Sequence, residues 1–166
     1  MLMERVKYNE VQRFRQWWMW LIICSVDIGL IIAFVMDKVY GSSEPVQWWE
    51  YLVITIVLMI LTSLFLLMNL STRIDETGIH VRFFPFHFHE KHFAWEDISK
   101  AYVRRYSPLW EFGGWGIKYG FQGKAYNVSG NEGIQLELKS GKRVLIGTTL
   151  PKKASETLVS YGLSSM

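Results

Sequence analysis

The sequence predicts an α+β membrane protein: a two-helix transmembrane hairpin, then an antiparallel β-sandwich or partly open barrel of about seven strands, capped by a C-terminal helix. Three observations predict this class. Two long apolar runs lie near the start of the chain, apolar and polar residues alternate after Arg73, and apolar residues recur at helical spacing near the end.

The two apolar runs cover residues 17–36 and 51–70, and residues 37–50 join them. Each run has about 20 residues, so as a helix rising ~1.5 Å per residue it would cross a hydrocarbon layer of ~30 Å. The first run exceeds the ~7–15 residues of a signal-peptide core, and no small-residue cleavage site follows it. A transmembrane hairpin is therefore favoured over a cleaved signal.

The distribution of basic residues predicts the orientation of the hairpin. Residues 1–16 contain four of them, Arg5, Lys7, Arg13 and Arg15, whereas the joining loop contains only Lys38. By the positive-inside rule, residues 1–16 form a cytoplasmic tail, loop 37–50 is external and residues 71–166 form a cytoplasmic domain. We expect an inner-membrane protein with both termini in the cytoplasm. Its net charge of +3 suits lipid contact better than nucleic-acid binding.

Alternation predicts the strands of residues 71–166. Stretches 79–83 and 134–138 alternate clearly, and a turn at Ser140–Gly141 closes a hairpin. The alternation over 86–89 predicts a further strand with His87 and His89 on one face. The final helix is indicated by Ala154 and Leu158, which share one helical face.

Five stretches of the chain resemble the bacterial pleckstrin-homology-like membrane proteins and one subgroup of them. They are TRIDETGI at 72–79, WEDI at 95–98, FGGWG at 112–116, AYNV at 125–128 and VLIGT at 144–148. The resemblance implies two orthogonal antiparallel sheets capped by a helix. It supplies no catalytic residues, because such folds serve as adaptors for lipids, peptides and partner subunits.

Asp27 lies near the middle of the first apolar run. An ionised carboxylate there costs ~2.5–3.5 kcal/mol on insertion scales, so it should face the second helix. In an antiparallel hairpin its depth corresponds to Thr62 and Ser63, which we expect to contact it. Asp27 then either joins helices, within this chain or to another subunit, or takes part in ion or proton movement.

All four histidines, His80, His87, His89 and His92, lie in one short segment. His87, His89 and His92 are candidate metal ligands, since imidazoles at such spacing bind zinc or copper. The alternatives are an ordinary exposed face or a pH-sensitive patch at the membrane. The only cysteine, Cys24, lies in the first apolar run, so the chain has no cysteine metal site and no internal disulfide.

Glycines cluster between residues 113 and 133 without forming a nucleotide-binding loop. Tight turns and close strand crossings explain most of them. The alternative is a loop that grips a partner or enters the membrane interface, and its candidate residues are Trp110, Gly113, Gly114, Trp115 and Gly116.

Lys152 and Lys153 lie in the first turn of the final helix, where the helix dipole favours anions. A bound phosphate headgroup would relieve this arrangement, and Arg104 and Arg105 are candidates to join it. The alternative is two solvated lysines.

The chain contains no nucleophile elbow, no HExxH motif and no redox cysteine pair, so we expect neither catalysis nor a cofactor. The leading hypothesis is an accessory or scaffold protein whose cytoplasmic domain binds a protein partner or a second copy of the chain. The alternative is binding of anionic lipid headgroups. A weaker alternative is a metal- or proton-linked role through Asp27 and the histidines.

Overall fold

The computed structural model describes residues 8–14, 17–41 and 47–162, and the chain divides into two compact units. The helical unit contains residues 15–67. The sheet unit contains residues 68–166 together with residues 1–14, which precede the helices in the chain. The helical unit is therefore an insertion into the sequence of the sheet unit.

The helical unit consists of α1 (Trp17–Tyr40) and α2 (Trp48–Leu67). Both helices are long and apolar enough to cross a membrane. The most apolar part of each helix has a mean hydropathy of 2.4, and none of its residues is buried. The predicted run 17–36 begins with α1 but ends before it, and the predicted run 51–70 begins and ends a few residues after α2. Phe34 and Tyr51 join the two helices in an edge-on ring contact of 5.0 Å.

The first sheet of the sheet unit has the antiparallel order β1-β2-β3-β4. Its strands are β1 (Tyr8–Arg13), β2 (Asn69–Ile74), β3 (Gly78–Phe84) and β4 (Lys91–Ala94). Leu70 on β2 and Val81 and Phe83 on β3 are fully buried. This alternation of apolar inward and polar outward residues is what a half-buried sheet requires.

Residues 8–13 form strand β1 rather than part of a separate N-terminal tail, so the prediction of a tail over residues 1–16 does not describe them. The strand pairs with β2 in the register Tyr8↔Ile74 to Arg13↔Asn69. The rest of residues 1–16, apart from Phe14, lies outside the described residues.

The second sheet has the order β5-β8-β9-β7-β6. Its strands are β5 (Ile98–Arg105), β6 (Gly116–Gly120), β7 (Gly123–Asn127), β8 (Glu132–Leu138) and β9 (Arg143–Gly147). The β7–β9 pair is parallel and the other pairs are antiparallel. β8, β9 and β7 occupy the centre of this sheet, which explains the nearly continuous burial of residues 133–136 and 144–147.

Two further helices complete the sheet unit, α3 (Pro108–Phe112) and α4 (Pro151–Ser160). Ala154 and Leu158 of α4 are buried, as their spacing predicts. The described residues contain nine strands rather than about seven. The predicted strand over 86–89 is wrong, because this segment belongs to the turn between β3 and β4. His87 and His89 therefore do not share a strand face.

Candidate functional site

A cavity of about 810 Å³ opens on the sheet unit between β4, the β6–β7 hairpin and the β8–β9 turn. Basic and aromatic side chains dominate its lining: Lys91, Phe93, Tyr119, Phe121, Lys124, Tyr126, Lys142 and Arg143. Among the described residues, no aspartate or glutamate lines it. We call this cavity the basic pocket.

The β6–β7 hairpin forms one wall of the basic pocket because of its strand register. Tyr119 and Lys124 are direct cross-strand partners, and Tyr126 lies two residues beyond Lys124 on the same face. The opposite face carries Ala125, which packs in a buried cluster with Tyr106, Phe112 and Leu145. The hairpin therefore presents an apolar face to the core and a basic, aromatic face to the pocket.

Two glycines allow this hairpin to lie close to its neighbours. A Cβ atom at Gly120 would collide with the backbone carbonyl of Glu111, at the end of α3. A Cβ atom at Gly123 would collide with the carbonyl of Arg143, and Gly123 also has a φ of +101°. Glycine at these positions brings α3 and the start of β9 against the hairpin.

Cations converge on the ring of Tyr126. The Lys124 ammonium lies 4.9 Å from its centroid and 4.8 Å from that of Tyr119, and the Lys91 ammonium lies 5.8 Å from the Tyr126 centroid. The His87 ring packs against Tyr126 at 5.5 Å. Aromatic faces attract cations, but the cations repel one another, so this arrangement favours the entry of an anion.

The pKa values of three groups at or near the basic pocket are shifted. Burial lowers the pKa of Lys124, but hydrogen bonds with Tyr119 and Tyr126 outweigh it and raise this pKa above its ordinary value. Burial, Lys91 and Lys124 lower the pKa of the His87 imidazole below its ordinary value. The hydrogen bond from Lys124 and its charge lower the pKa of the Tyr119 hydroxyl. The buried Nδ1 atom of His87 has no hydrogen-bond partner among the described residues.

Of the four basic residues that line the basic pocket, Arg143 has an acidic partner. Arg143 Nε lies 3.9 Å from Glu137 Oε1, and Arg143 Nη1 donates a hydrogen bond of 3.2 Å to Gln122 Oε1. No ion pair joins Lys91, Lys124 or Lys142 to an acidic side chain of the described residues. These three ammonium groups leave the pocket with uncompensated positive charge.

The four basic residues that the sequence suggests for an anion site have other environments. Arg104 donates a hydrogen bond of 2.8 Å to Glu111 and another of 3.0 Å to Gln135, and Arg105 lies 3.8 Å from Glu132. Lys152 and Lys153 are exposed on the first turn of α4. None of the four lines the basic pocket.

The interface-loop residues named from the sequence have different environments. Trp110 lies on α3 with 88% of its surface exposed. Trp115 is half-buried and donates a hydrogen bond of 3.2 Å to Gly130 O. Gly113 ends α3 in a left-handed conformation, and Gly114 and Gly116 are buried. Of the aromatic residues in this loop, Trp110 is therefore the one available to a partner.

The helical unit has its own cavity, of about 670 Å³, between α1 and α2. Asp27, Thr62 and Ser63, which the sequence placed at one depth, all line it, and so does Thr55. Within the described residues, the Asp27 carboxylate makes no hydrogen bond or ion pair. We call this cavity the Asp27 groove.

The histidines lie in separate environments. His80 and His92 face each other across β3 and β4 with their rings stacked at 4.4 Å, and His80 Nε2 lies 3.0 Å from the buried Asp75 carboxylate. His87 contacts Tyr126 at the basic pocket, and His89 is exposed. Across the described residues, no three His, Cys, Asp or Glu side chains are arranged to hold a metal ion.

The basic pocket was not found from the sequence because its cations lie far apart in the chain, at positions 91, 124, 142 and 143. The alternation of Lys124, Ala125 and Tyr126, with Gly120 and Gly123 bounding a two-residue turn, is a hairpin signal that could have indicated one wall. The parallel β7–β9 pairing, which brings Arg143 to this wall, has no local signal. No family model, curated protein or solved structure matches the chain.

Proposed function

We propose that this chain is a non-enzymatic, membrane-anchored binding protein whose basic pocket holds a phosphate-bearing anion. The observation that carries this function is the convergence of one arginine and three lysines without an ion-pair partner on a cavity whose lining, in the described residues, has no carboxylate. Phosphate oxygens accept strong charge-assisted hydrogen bonds from such groups. Aromatic rings beside them fit the carbon skeleton that carries the phosphate.

The membrane part of the proposal is that α1 and α2 span the inner membrane, with both termini in the cytoplasm and the loop between the helices outside. The length and hydropathy of both helices support the spanning, and the basic residues of the N-terminal segment support the orientation. The sheet unit is then held on the cytoplasmic side, where anionic lipids give the surface a negative potential.

We also propose that the sheet unit is a variant of the pleckstrin-homology-like fold. A four-stranded antiparallel sheet, a second sheet and a C-terminal helix support this assignment. The parallel β7–β9 pair departs from the two antiparallel sheets that the resemblance implies. β7 of this pair belongs to the hairpin that forms one wall of the basic pocket, so the pocket lies where the sheet departs from that arrangement.

Calorimetric titration of the purified full chain in maltoside micelles tests the pocket. Glycerol 3-phosphate is the probe, glycerol its uncharged match and inorganic phosphate a second arm. We expect Lys91→Gln with Lys124→Gln to weaken binding of glycerol 3-phosphate at least about tenfold, because each charge-assisted hydrogen bond contributes ~1.5–3 kcal/mol. The matched control is Lys152→Gln with Lys153→Gln, which removes the same charge from α4.

An equal loss in both double variants would mean that net charge alone attracts the anion. Absence of binding by the unaltered chain would overturn the proposed function. Binding of inorganic phosphate as tight as that of glycerol 3-phosphate would show that the pocket recognises the phosphate group alone.

A second candidate function is that of a scaffold subunit that holds a second copy of the chain or another membrane protein. The specific observation is the Asp27 groove, where a carboxylate in the middle of α1 lines the same cavity as Thr62 and Ser63. Polar side chains at such depth join helices in membranes. The oligomeric state of the solubilised chain tests this function.

A further inference from the structure

The Asp27 groove is elongated along the helices that form it. Its lining on α2 follows one helical face from Trp48 to Ser63, with members three or four positions apart. At ~1.5 Å per residue this stripe is ~22 Å long, which is most of a hydrocarbon layer of ~30 Å. On α1 the lining from Asp27 to Phe34 has the same spacing. A groove of this shape matches the side of another helix.

The groove contains a carboxylate without a partner. Among the described residues that line it, Asp27 carries the only charge. Its side chain is half-buried, and in the described part of the chain it makes no hydrogen bond or ion pair. A carboxylate in hydrocarbon is costly unless a proton or a cation neutralises it. A cationic group is therefore a natural occupant of this groove.

The chain itself does not supply that cation. Between positions 17 and 67, Lys38 is the only basic residue in the sequence. It lies ~16 Å from Asp27 along the axis of α1, and its ammonium is 3.5 Å from the Asp37 carboxylate. Copies of one chain insert into a membrane in the same orientation, so Lys38 of a second copy would be separated from Asp27 by the same depth. A second copy would instead bring a second carboxylate to this depth, and like charges repel.

A lysine or arginine side chain has the chemistry that completes this groove. Its apolar stem packs along an apolar surface while its charged end reaches a polar group. The Asp27 carboxylate would accept charge-assisted hydrogen bonds from that end. The hydroxyls of Thr62 and Ser63, which line the same cavity, can accept further donor hydrogens. Opposite charges attract more strongly in hydrocarbon than in water, because the surroundings screen them less.

We propose that the Asp27 groove holds one transmembrane helix of a different membrane protein, and that this helix carries a lysine or arginine at the depth of Asp27. This inference rests on the second candidate function, because it names the kind of partner that the scaffold holds. Charge complementarity selects this occupant over a second copy of the chain.

Binding of designed helices to the full chain in maltoside micelles tests this inference. The chain is made in a cell-free system, because chain solubilised from its own cells would carry the natural partner. The probe is a fluorescein-labelled leucine–alanine helix of about 20 residues with one lysine at its centre and neutral polar ends. Its matched peptide has leucine at the centre. Sedimentation velocity at the dye wavelength measures the bound fraction of each peptide.

The matched control variant combines Ser25→Asp with Asp27→Ser, which keeps the composition of α1 and moves the carboxylate to a position that does not line the groove. We expect the unaltered chain to bind the lysine helix at least about tenfold more tightly than the leucine helix. Asp27→Asn and the control variant should bind the two helices alike. Equal binding of both helices by the unaltered chain, or an unchanged preference in the control variant, would overturn the inference.

The oligomeric state separates this inference from the scaffold function. A homo-oligomer that Asp27→Leu dissociates, without preference for the lysine helix, would keep the scaffold function and overturn the inference. A monomeric cell-free chain that prefers the lysine helix would support the inference and exclude a second copy as the occupant. Neither result bears on the basic pocket, whose lining belongs to the sheet unit.

Discussion

His87 links the basic pocket to pH. Its imidazole faces the Tyr126 ring and the ammonium groups of Lys91 and Lys124, and burial together with these two charges lowers its pKa. The neutral form therefore predominates at neutral pH in the empty pocket. An anion bound by Lys91 and Lys124 would offset their charges and stabilise the charged form of His87, so binding should be accompanied by uptake of a proton.

We expect the affinity for glycerophosphoglycerol to rise several-fold as the pH falls from neutral towards 5, up to about tenfold per pKa unit gained by His87. This phosphodiester keeps a single charge over that range, so the change of affinity with pH reports proton uptake by the protein and not by the ligand. Without ligand, His87 affects the stability of the sheet unit, and this effect has the opposite dependence on pH. Because the unfolded chain binds the proton more readily, the sheet unit loses stability as the pH falls below the ordinary histidine pKa.

Calorimetric titrations at several pH values measure the slope, which His87→Gln should abolish. His89→Gln is the matched control, because His89 is an exposed histidine two residues away. A slope that persists in His87→Gln, or disappears in His89→Gln, would contradict the assignment.

At the scale of elements, β1 shows what the sequence could not predict. Its inward residues are Tyr8, Glu10 and Gln12, and its one aliphatic residue, Val11, is exposed. Alternation analysis assumes that apolar residues face inward, so this segment looks like a tail. Hydrogen bonds to distant residues compensate the Glu10 carboxylate and the Gln12 amide nitrogen, and no local pattern encodes them.

The Glu10 carboxylate attaches β1 to the segment that leads into α4. It accepts hydrogen bonds of 2.8 Å from Thr148 Oγ1, 2.8 Å from Thr149 N and 2.5 Å from Thr149 Oγ1. It also accepts one from the Tyr8 hydroxyl, whose oxygen lies 2.8 Å from Thr148 Oγ1. Gln12 adds a bond of 2.6 Å to Gly147 O.

We expect Glu10→Ala to lower the free energy of unfolding of the sheet unit by ~2–4 kcal/mol, because it removes the acceptor of the buried Tyr8 and Thr148 hydroxyls. Urea titration in micelles, followed by near-ultraviolet circular dichroism, measures the change. Glu96→Ala is the matched control, since Glu96 is exposed. Equal effects of the two substitutions would contradict a structural role for the carboxylate.

Hairpins with a turn signal were predictable, whereas pairings between distant segments were not. The turn at Gly141 between β8 and β9 and the buried face of α4 agree with the sequence prediction. The segment 86–89 alternates in sequence but follows Pro85, and it is a turn that places His87 against Tyr126. Here a tertiary contact outweighed local periodicity.

At the scale of the whole molecule, Asp27 supports the second candidate function. If the Asp27 groove joins subunits, the full chain in mild detergent should migrate with a stoichiometric partner or as a homo-oligomer. We expect Asp27→Leu to weaken that association ~3–30-fold, since interhelical polar contacts contribute ~0.6–2 kcal/mol. Native mass spectrometry measures the stoichiometry.

Ser25→Leu is the matched control, because Ser25 lies on the same helix, does not line the Asp27 groove and bonds to Ile22 O. A solitary monomer in several detergents would rule out the scaffold function. Dissociation by Ser25→Leu as well would show that any polar residue of α1 acts alike.

The insertion of both helices between β1 and β2 has a consequence for synthesis of the chain. A ribosome that adds about 5–20 residues per second needs several seconds to produce the helices before the strand that pairs with β1 emerges. During that interval β1 has no strand with which to pair. An apolar strand would aggregate in water, but one that carries Glu10 and Gln12 on its inner face stays soluble until β2 is made.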